Sequence, residues 1–358
     1  MSGGPDTVRP AGDVFRTVFG EGEHVMTVCN ACRYCEQYCA VFPAMEQRLT
    51  FGKADLAYLA NLCHNCGECL YACQYAPPHE FGIDVPKTMS KLRVESYESL
   101  AWPSFAAVAF RRPRRATTIA LAFAAVICAF VGRPFTGRQI NPADFYAVIP
   151  HDIMVLLFGA VGLFAAAAIA VGHARFKAGF TFEPEAARDV VTLRHLHDAG
   201  DCVDAEEKRS PWRRWMHHCT FYGFALCFAS TTVAAIYHLI FGWIAPYAYT
   251  SIPVMLGALG GVGLLIGPAG LFLVDRGRDP ELTHASERSL GNAFLALLFL
   301  TSVTGLLLLL LREQPYMPVL LVIHLAIVLA LFITLPYGKF VHGIYRAAAL
   351  MKFRREER

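Results

Sequence analysis

The chain has 358 residues, of which 55% are hydrophobic and only 17% are charged, and its mean hydropathy is +0.39. So low a charged fraction is unusual for a soluble protein, and the apolar excess follows Thr117. The composition therefore predicts a soluble head and a membrane-embedded body. The net charge of +3 is small, and nothing in its distribution indicates a nucleic-acid partner.

Residues 1–26 are predicted to be an N-terminal tail that leads into the head. The segment from Met1 to Asp13 is polar and rich in Gly and Pro, without the apolar core of a secretory signal. We therefore expect the head to stay in the cytoplasm, where thiols remain reduced.

Residues 27–89 contain eight cysteines in two copies of the spacing C-x2-C-x2-C-x3-C. This pattern is typical of a ferredoxin with two [4Fe–4S] clusters, in which the fourth cysteine of each run ligates the other cluster. A reducing compartment disfavours disulfides, and structural zinc sites have different spacings. The spacing assigns the first cluster to Cys29, Cys32, Cys35 and Cys73, and the second to Cys63, Cys66, Cys69 and Cys39.

The head is predicted to be mainly helical. Apolar residues recur at helical spacing from Lys53 to Leu62, and a second helix is expected from about Val85 to Val94. This favours a small α-helical ferredoxin-like domain over the βαβ type. A domain of this size buries little apolar surface, so the clusters are expected to contribute to its stability.

Residues 90–116 are predicted to be a linker on the membrane surface, where the indole of Trp102 is favoured. Four arginines at 111, 112, 114 and 115 then mark the cytoplasmic end of the first apolar run.

Hydropathy and length predict a six-helix transmembrane bundle over residues 117–347, followed by a tail at 348–358. Basic residues concentrate in alternate loops, which predicts that both termini are cytoplasmic. Glycines crowd the fourth span, and close helix packing explains them better than a phosphate-binding loop. The spans are expected near residues 117–132, 147–172, 215–241, 252–274, 291–311 and 318–338, and a continuation of the last one to about 347 is left open.

Three of these spans carry histidines near both ends. Imidazole is an axial ligand of haem iron, and histidines within membrane spans are usually functional, although a histidine at a helix end can simply face water. They are His151 and His173 in the second span, His217, His218 and His238 in the third, and His324 and His342 in the sixth.

Helical phase suggests how these histidines pair. On one continuous helix, His324 and His342 share a face, about five turns or 27 Å apart. His217 lies closer than His218 to the face that carries His238. We therefore predict two b haems, an inner one held by His217 and His342 and an outer one held by His238 and His324. Ligation by His218, and a role for the pair His151 and His173, remain open alternatives.

The segments CNACRYCEQYCAVFPA, CHNCGECLYACQYAPPHEFGIDVP and RRWMHHCTFYGF resemble the tricarballylate (citrate) utilisation protein B family over most of the chain. The final segment HLAIVLALFITLPYGKFVH is similar to the last haem-bearing helix of the respiratory nitrate reductase gamma subunit. The resemblance implies a mainly α fold, a ferredoxin-like domain fused to a cytochrome b-like bundle in the bacterial inner membrane.

The same resemblance implies an electron-transfer partner of a soluble FAD-dependent dehydrogenase of the tricarballylate type. Electrons would pass through two [4Fe–4S] clusters and haem b to the quinone pool. The alternatives are a transporter accessory and a redox sensor, in which the clusters are structural or sensory. No paired buried carboxylates or broken helices favour a transporter. His195, His197 and Cys202 in a cytoplasmic loop are expected to be solvated.

Overall fold

The computed structural model describes residues 17–132, 144–179, 182–196, 202–203 and 209–358. The chain is mainly helical, and the described part of the head contains helices only. Its helices are α1 (Val18–Cys32), α2 (Val41–Glu46), α3 (Lys53–Leu62), α4 (Glu68–Tyr71) and α5 (Val85–Leu100).

The helices α1, α3 and α5 form the core of the head. Met26, Leu59, Met89 and Leu92 are fully buried in it. The helix predicted from Lys53 to Leu62 is confirmed at both ends. The linker predicted to begin at residue 90 is wrong in its first part, because α5 continues as a packed helix to Leu100.

The connecting segment is shorter than expected and leads into a larger membrane body. It contains the short helix α6 (Ser104–Ala109). Six helices of the described residues are long and apolar enough to cross a membrane, which confirms the predicted number of spans. They are α7 (Pro113–Val131), α9 (His151–Phe176), α11 (Trp212–Leu239), α12 (Ile252–Arg276), α13 (Ala285–Leu311) and α14 (Met317–Thr334).

Smaller elements connect these spans. Two strands, β1 (Cys202–Val203) and β2 (Arg209–Ser210), pair antiparallel just before α11. His197, which was expected to be solvated, lies outside the described residues. The other short helices are α8 (Phe145–Val148), α10 (Pro184–Thr192) and two 3-10 turns at Arg194–Leu196 and Pro280–Leu282.

The last span does not continue as one helix to about residue 347. The helix α14 ends at Thr334, turns occupy residues 335–340, and α15 (Val341–Glu356) follows. Pro336 lies in this break, where it lacks an amide hydrogen and its ring would clash with the carbonyl of Phe332 in a continuous helix. The phase argument that put His324 and His342 on one face of one helix is therefore wrong.

The C-terminal helix α15 packs on the head. Arg48 of the head forms an ion pair with Glu356 at 2.6 Å, and the Tyr58 hydroxyl donates to the same carboxylate at 3.0 Å. Tyr345 and Phe353 are buried in the same core as Met89. The head and the C-terminal helix therefore lie at the same end of the bundle.

Glycines let α11 and α12 pack with their backbones in contact. A Cβ atom at Gly260 would lie 2.8 Å from the backbone nitrogen of Cys227 and 2.8 Å from the carbonyl oxygen of Gly223. Because both neighbours are backbone atoms, the helices must separate to admit any side chain. Close helix packing, predicted from the glycine-rich fourth span, is confirmed.

Gly260→Ala should lower the free energy of unfolding by about 1–3 kcal/mol, because the methyl group forces α11 away from α12. Thermal unfolding of the detergent-solubilised protein, followed by circular dichroism, measures the effect. Gly159→Ala in α9 is the matched control, because no atom lies within 4 Å of the added Cβ. Equal unfolding temperatures for the two variants would contradict the packing.

Candidate metal centre

The fold brings the eight cysteines of the head together in two groups that cross the sequence order. Cys29, Cys32, Cys35 and Cys73 line one cavity of about 240 Å³. Cys39 lines a second, smaller cavity with Cys63, Cys66 and Cys69, and Cys69 borders both. This grouping matches the crossed arrangement expected of two-cluster ferredoxins. The ligand assignment itself stays a prediction.

The thiols of the first cysteine group are crowded and partly shielded from water. Burial, followed by the neighbouring Cys73, Cys35 and Cys32, raises the pKa of Cys29 to about 12. Burial, followed by Cys73 and Cys32, raises the pKa of Cys35 to about 11. Thiolates so close together require nearby positive charge, which the iron ions of a cluster supply.

Within the described ranges, no three His, Cys, Asp or Glu side chains converge on a single metal ion. A [4Fe–4S] cluster does not require such convergence, because its four cysteines each ligate a different iron around a cube.

A larger cavity of about 590 Å³ lies between the head and the membrane helices. Its volume is in the range of small-molecule and cofactor sites. Cys63 forms part of one wall, so the cavity touches the second cysteine group directly. Residues of α11, α13 and α15 form most of the remaining walls, among them His217, Phe224, Phe294 and His342. Phe340 lines the cavity from the turn before α15.

His217 and His342 both line this cavity, as the predicted inner pair requires. The Nδ1 atom of His342 lies 3.3 Å from the Tyr97 hydroxyl, which orients the ring and leaves Nε2 as the other ring nitrogen. Burial, followed by the charges of Lys339 and Arg93, lowers the pKa of His342 well below its usual value. A neutral, oriented imidazole is the form that binds iron.

The Nδ1 atom of His217 is buried and has no hydrogen-bond partner among the described residues. A buried polar atom without a partner on a cavity wall is consistent with a missing ligand. His218 instead stacks on Tyr222 with ring centroids 5.8 Å apart, and Tyr222 is exposed. Between the two alternatives left open by the sequence, the cavity favours His217.

His324 has a hydrogen bond that fixes its tautomer. Its Nδ1 atom lies 2.9 Å from the Thr304 hydroxyl, and that hydroxyl donates its own proton to the Leu300 carbonyl at 2.7 Å. The Nδ1 atom must therefore carry the proton, which leaves a lone pair on Nε2. Gly305 lies against the ring, since a Cβ there would be 3.0 Å from Cε1. His324 thus has the chemistry of an axial ligand.

His238 has a different neighbour from the one predicted. Its ring stacks on His151 with centroids 3.8 Å apart, and Tyr146 lies edge-on to both rings. His151 begins α9, so the ends of the second and third spans meet at this point. The pairing of His238 with His324 stays a prediction, and His151 becomes its main competitor. His173 ends the same helix at the opposite side.

Three buried charges beside the cavity were not singled out from the sequence. Arg93 is 3% exposed and forms an ion pair with Glu287 at 2.6 Å, and Lys339 binds the same carboxylate. This network joins α5 of the head to α13 and to the segment between α14 and α15. The sequence contains a signal for this network, because Glu287 is an acidic residue at the start of a long apolar run.

One prediction for the loop after α10 is wrong. His195 was expected to be solvated, but it is 7% exposed and lines the large cavity. Its Nε2 atom lies 3.5 Å from Asp189, which Arg354 also contacts at 2.6 Å. His195 therefore forms part of the cavity wall instead of facing water.

The cysteine-bearing helical head and six apolar helices define a multi-pass membrane protein with an N-terminal iron–sulfur type domain. The family model described as citrate utilization protein B matches residues 114–358. The model of its Fer4-like domain matches residues 22–99. The chain is 47% identical to citrate utilization protein B of Escherichia coli over 351 residues, which cover 94% of this chain and 92% of the relative.

The chain belongs to the citrate utilization protein B family, as the resemblance predicted. The match of the Fer4-like domain ends at residue 99, close to the end of α5 at Leu100. No solved structure matches the chain.

Cys73→Ser should remove the cluster signal that Cys32→Ser removes, and not the one that Cys66→Ser removes. The reason is that Cys73 shares a cavity with Cys29, Cys32 and Cys35 despite following Cys69 in sequence. EPR spectra of the reduced variants, with iron counted per protein, decide this. If Cys73→Ser and Cys66→Ser lose the same signal, the ligation is not crossed.

Glu287→Ala should lower the free energy of unfolding by about 3–5 kcal/mol, because it leaves Arg93 and Lys339 buried without their counterion. Glu281→Ala is the matched control, since this carboxylate is 67% exposed in its pair with Lys87 and should cost about 0–1 kcal/mol. Thermal unfolding in detergent compares the two. Equal losses would show that the buried network contributes no more than a surface pair.

Proposed function

We propose that this chain carries electrons from a soluble FAD-dependent dehydrogenase, of the tricarballylate type, to the quinone pool. Two [4Fe–4S] clusters and b haem supply the one-electron carriers when bound. The cysteines of the head would hold the clusters, and His217 with His342 would hold the inner haem. The family match supports a role in the use of citrate or a related acid, since the matching family and relative are described as citrate utilization protein B.

The single observation that carries this proposal is the cavity of about 590 Å³ that has a cluster cysteine on one wall and two histidines on others. A structural cluster or a sensor requires no such space between the head and the membrane helices. An electron carrier does, because its cofactors must lie close together. The aromatic wall provided by Phe224, Phe294 and Phe340 also suits a flat, apolar macrocycle.

The entry side of the proposed route is the surface of the head next to Cys29 and Cys32. Both cysteines are partly exposed, and the neighbouring Tyr34 is 66% exposed. A soluble flavoprotein can therefore approach this cysteine group from the aqueous side. The second group is farther from water, since Cys63 is buried.

The proposal extends to the outer half of the bundle and to the orientation of the chain. His324 would hold a second haem with His238, and His151 is the alternative partner at that level. The basic loops and tail favour an inner-membrane protein with both termini in the cytoplasm. The packing of α15 on the head is consistent with that orientation, because it keeps the C-terminus beside the clusters.

A transporter accessory or a redox sensor is the alternative function. It would retain the clusters without a haem and without electron flow. Quinol-dependent reduction of the purified protein distinguishes the two classes, because only the electron carrier transfers electrons between quinol and its cofactors.

His217→Ala and His342→Ala should each remove the inner haem, because both rings line the same cavity. His218→Ala is the matched control and should keep a full haem content, since its ring stacks on Tyr222 outside the cavity. Redox difference spectra, with haem counted against protein, measure this. A full haem content in both the His217 and His342 variants would rule out the proposed haem site.

A further inference from the structure

Four arginines from other parts of the chain bind the backbone at the start of the second cysteine run, between residues 60 and 65. Arg93 donates to the carbonyls of Ala60 at 2.9 Å and Cys63 at 2.7 Å. Arg346 of α15 donates to Leu62 at 2.9 Å. The last two arginines share the Asn65 carbonyl, Arg213 at 3.0 Å and Arg278 at 2.5 Å.

Two of these arginines are buried, and Arg213 and Arg346 are partly buried. Arg93 is 3% exposed and Arg278 is 7% exposed. Burial, followed by the charge of Arg93, lowers the pKa of Arg346 to about 10, so this side chain is still charged at neutral pH. Charges in such surroundings act over longer distances than they do in water.

The two cysteine groups differ in their electrostatic surroundings. Among the described residues, the cavity of Cys29, Cys32, Cys35 and Cys73 is lined by apolar, aromatic and amide side chains, and by no charged one. Arg33 donates to the Asn30 carbonyl of that loop at 3.1 Å, but its side chain is exposed to water, which screens its charge. The other group has the four arginines behind its loop. Glu68 borders its cavity and Glu287 pairs with Arg93, so two acidic groups offset part of this positive charge.

We propose that the four arginines raise the reduction potential of the cluster held by Cys39, Cys63, Cys66 and Cys69 above that of the other cluster. Nearby positive charge and hydrogen bonding favour the reduced, more negative cluster. The inference rests on the proposed function in that it takes these cysteines as cluster ligands.

The difference in reduction potential decides which of the two clusters holds a single electron. With both clusters bound, one electron would pass from the reduced cluster at Cys29, Cys32, Cys35 and Cys73 to the oxidised cluster at Cys39, Cys63, Cys66 and Cys69. The first cluster would then be oxidised and the second reduced. Because Cys63 lines the large cavity, the electron would lie on the side of the head that faces the membrane helices.

An EPR-monitored redox titration of the full-length protein in detergent tests this, with the two signals assigned through Cys32→Ser and Cys66→Ser. In the wild-type protein, the cluster at Cys66 should become reduced at the higher potential. Arg278→Gln and Arg346→Gln should each lower that potential. The expected effect is on the order of a tenfold change in the ratio of oxidised to reduced cluster, equivalent to about 59 mV for one electron.

Two further variants separate the charge from other effects. Arg276→Gln removes an exposed charge two residues from Arg278 and should leave both potentials near their wild-type values. Arg278→Lys retains the charge and should also stay close to wild type. A lower wild-type potential for the Cys66 cluster, or unchanged potentials in both Gln variants, would overturn the inference. Absence of haem would defeat the proposed function while leaving this titration valid, whereas absence of cluster signals would defeat both.

Discussion

The buried ion pair between Arg93 and Glu287 holds the two halves of this protein together. Neither charge can leave the other without a large desolvation cost, because both side chains are almost fully buried. Arg93 also fixes the carbonyl of Cys63, and Glu287 binds Lys339, which lies three residues before His342. One network therefore positions the loop that carries Cys63 on one side of the large cavity and His342, a candidate haem ligand, on the other.

The break between α14 and α15 contributes Lys339 to the same network. A continuous final helix would carry His342 along the axis of the sixth span, whereas the turn at residues 335–340 directs α15 onto the head. The head is small, and part of its core consists of Tyr345 and Phe353 from this helix. The head and the C-terminal helix thus share one hydrophobic core, although the sequence predicts them as separate parts.

Local sequence patterns predicted the elements well and predicted their meeting points poorly. Cysteine spacing, apolar periodicity and hydropathy identified the two cysteine runs, the helix α3 and six spans, because each of these depends on nearby residues. The break at Pro336, the extension of α5 and the burial of Arg93 depend on contacts between distant segments. The basic residues near the spans were interpreted only as topology signals, so the roles of Arg213 and Arg278 at the cluster loop were missed.

The histidines show the same difference between local sequence patterns and contacts between distant segments. His217 and His342 line one cavity as predicted, although the helical phase argument behind their pairing was partly wrong. Phase within one helix cannot show which residue of a neighbouring helix lies opposite. The stacking of His238 on His151 follows from how α9 and α11 approach each other, and no spacing in the sequence encodes that contact.

We propose that this membrane protein carries both iron–sulfur clusters and haem in one chain. The most direct test is a count of iron, acid-labile sulfide and haem in the anaerobically purified wild-type protein, with optical and EPR spectra of the same sample. We expect about eight cluster irons per chain, together with b-type haem that a quinol reduces. Clusters without any haem, or haem that quinol leaves oxidised, would contradict it.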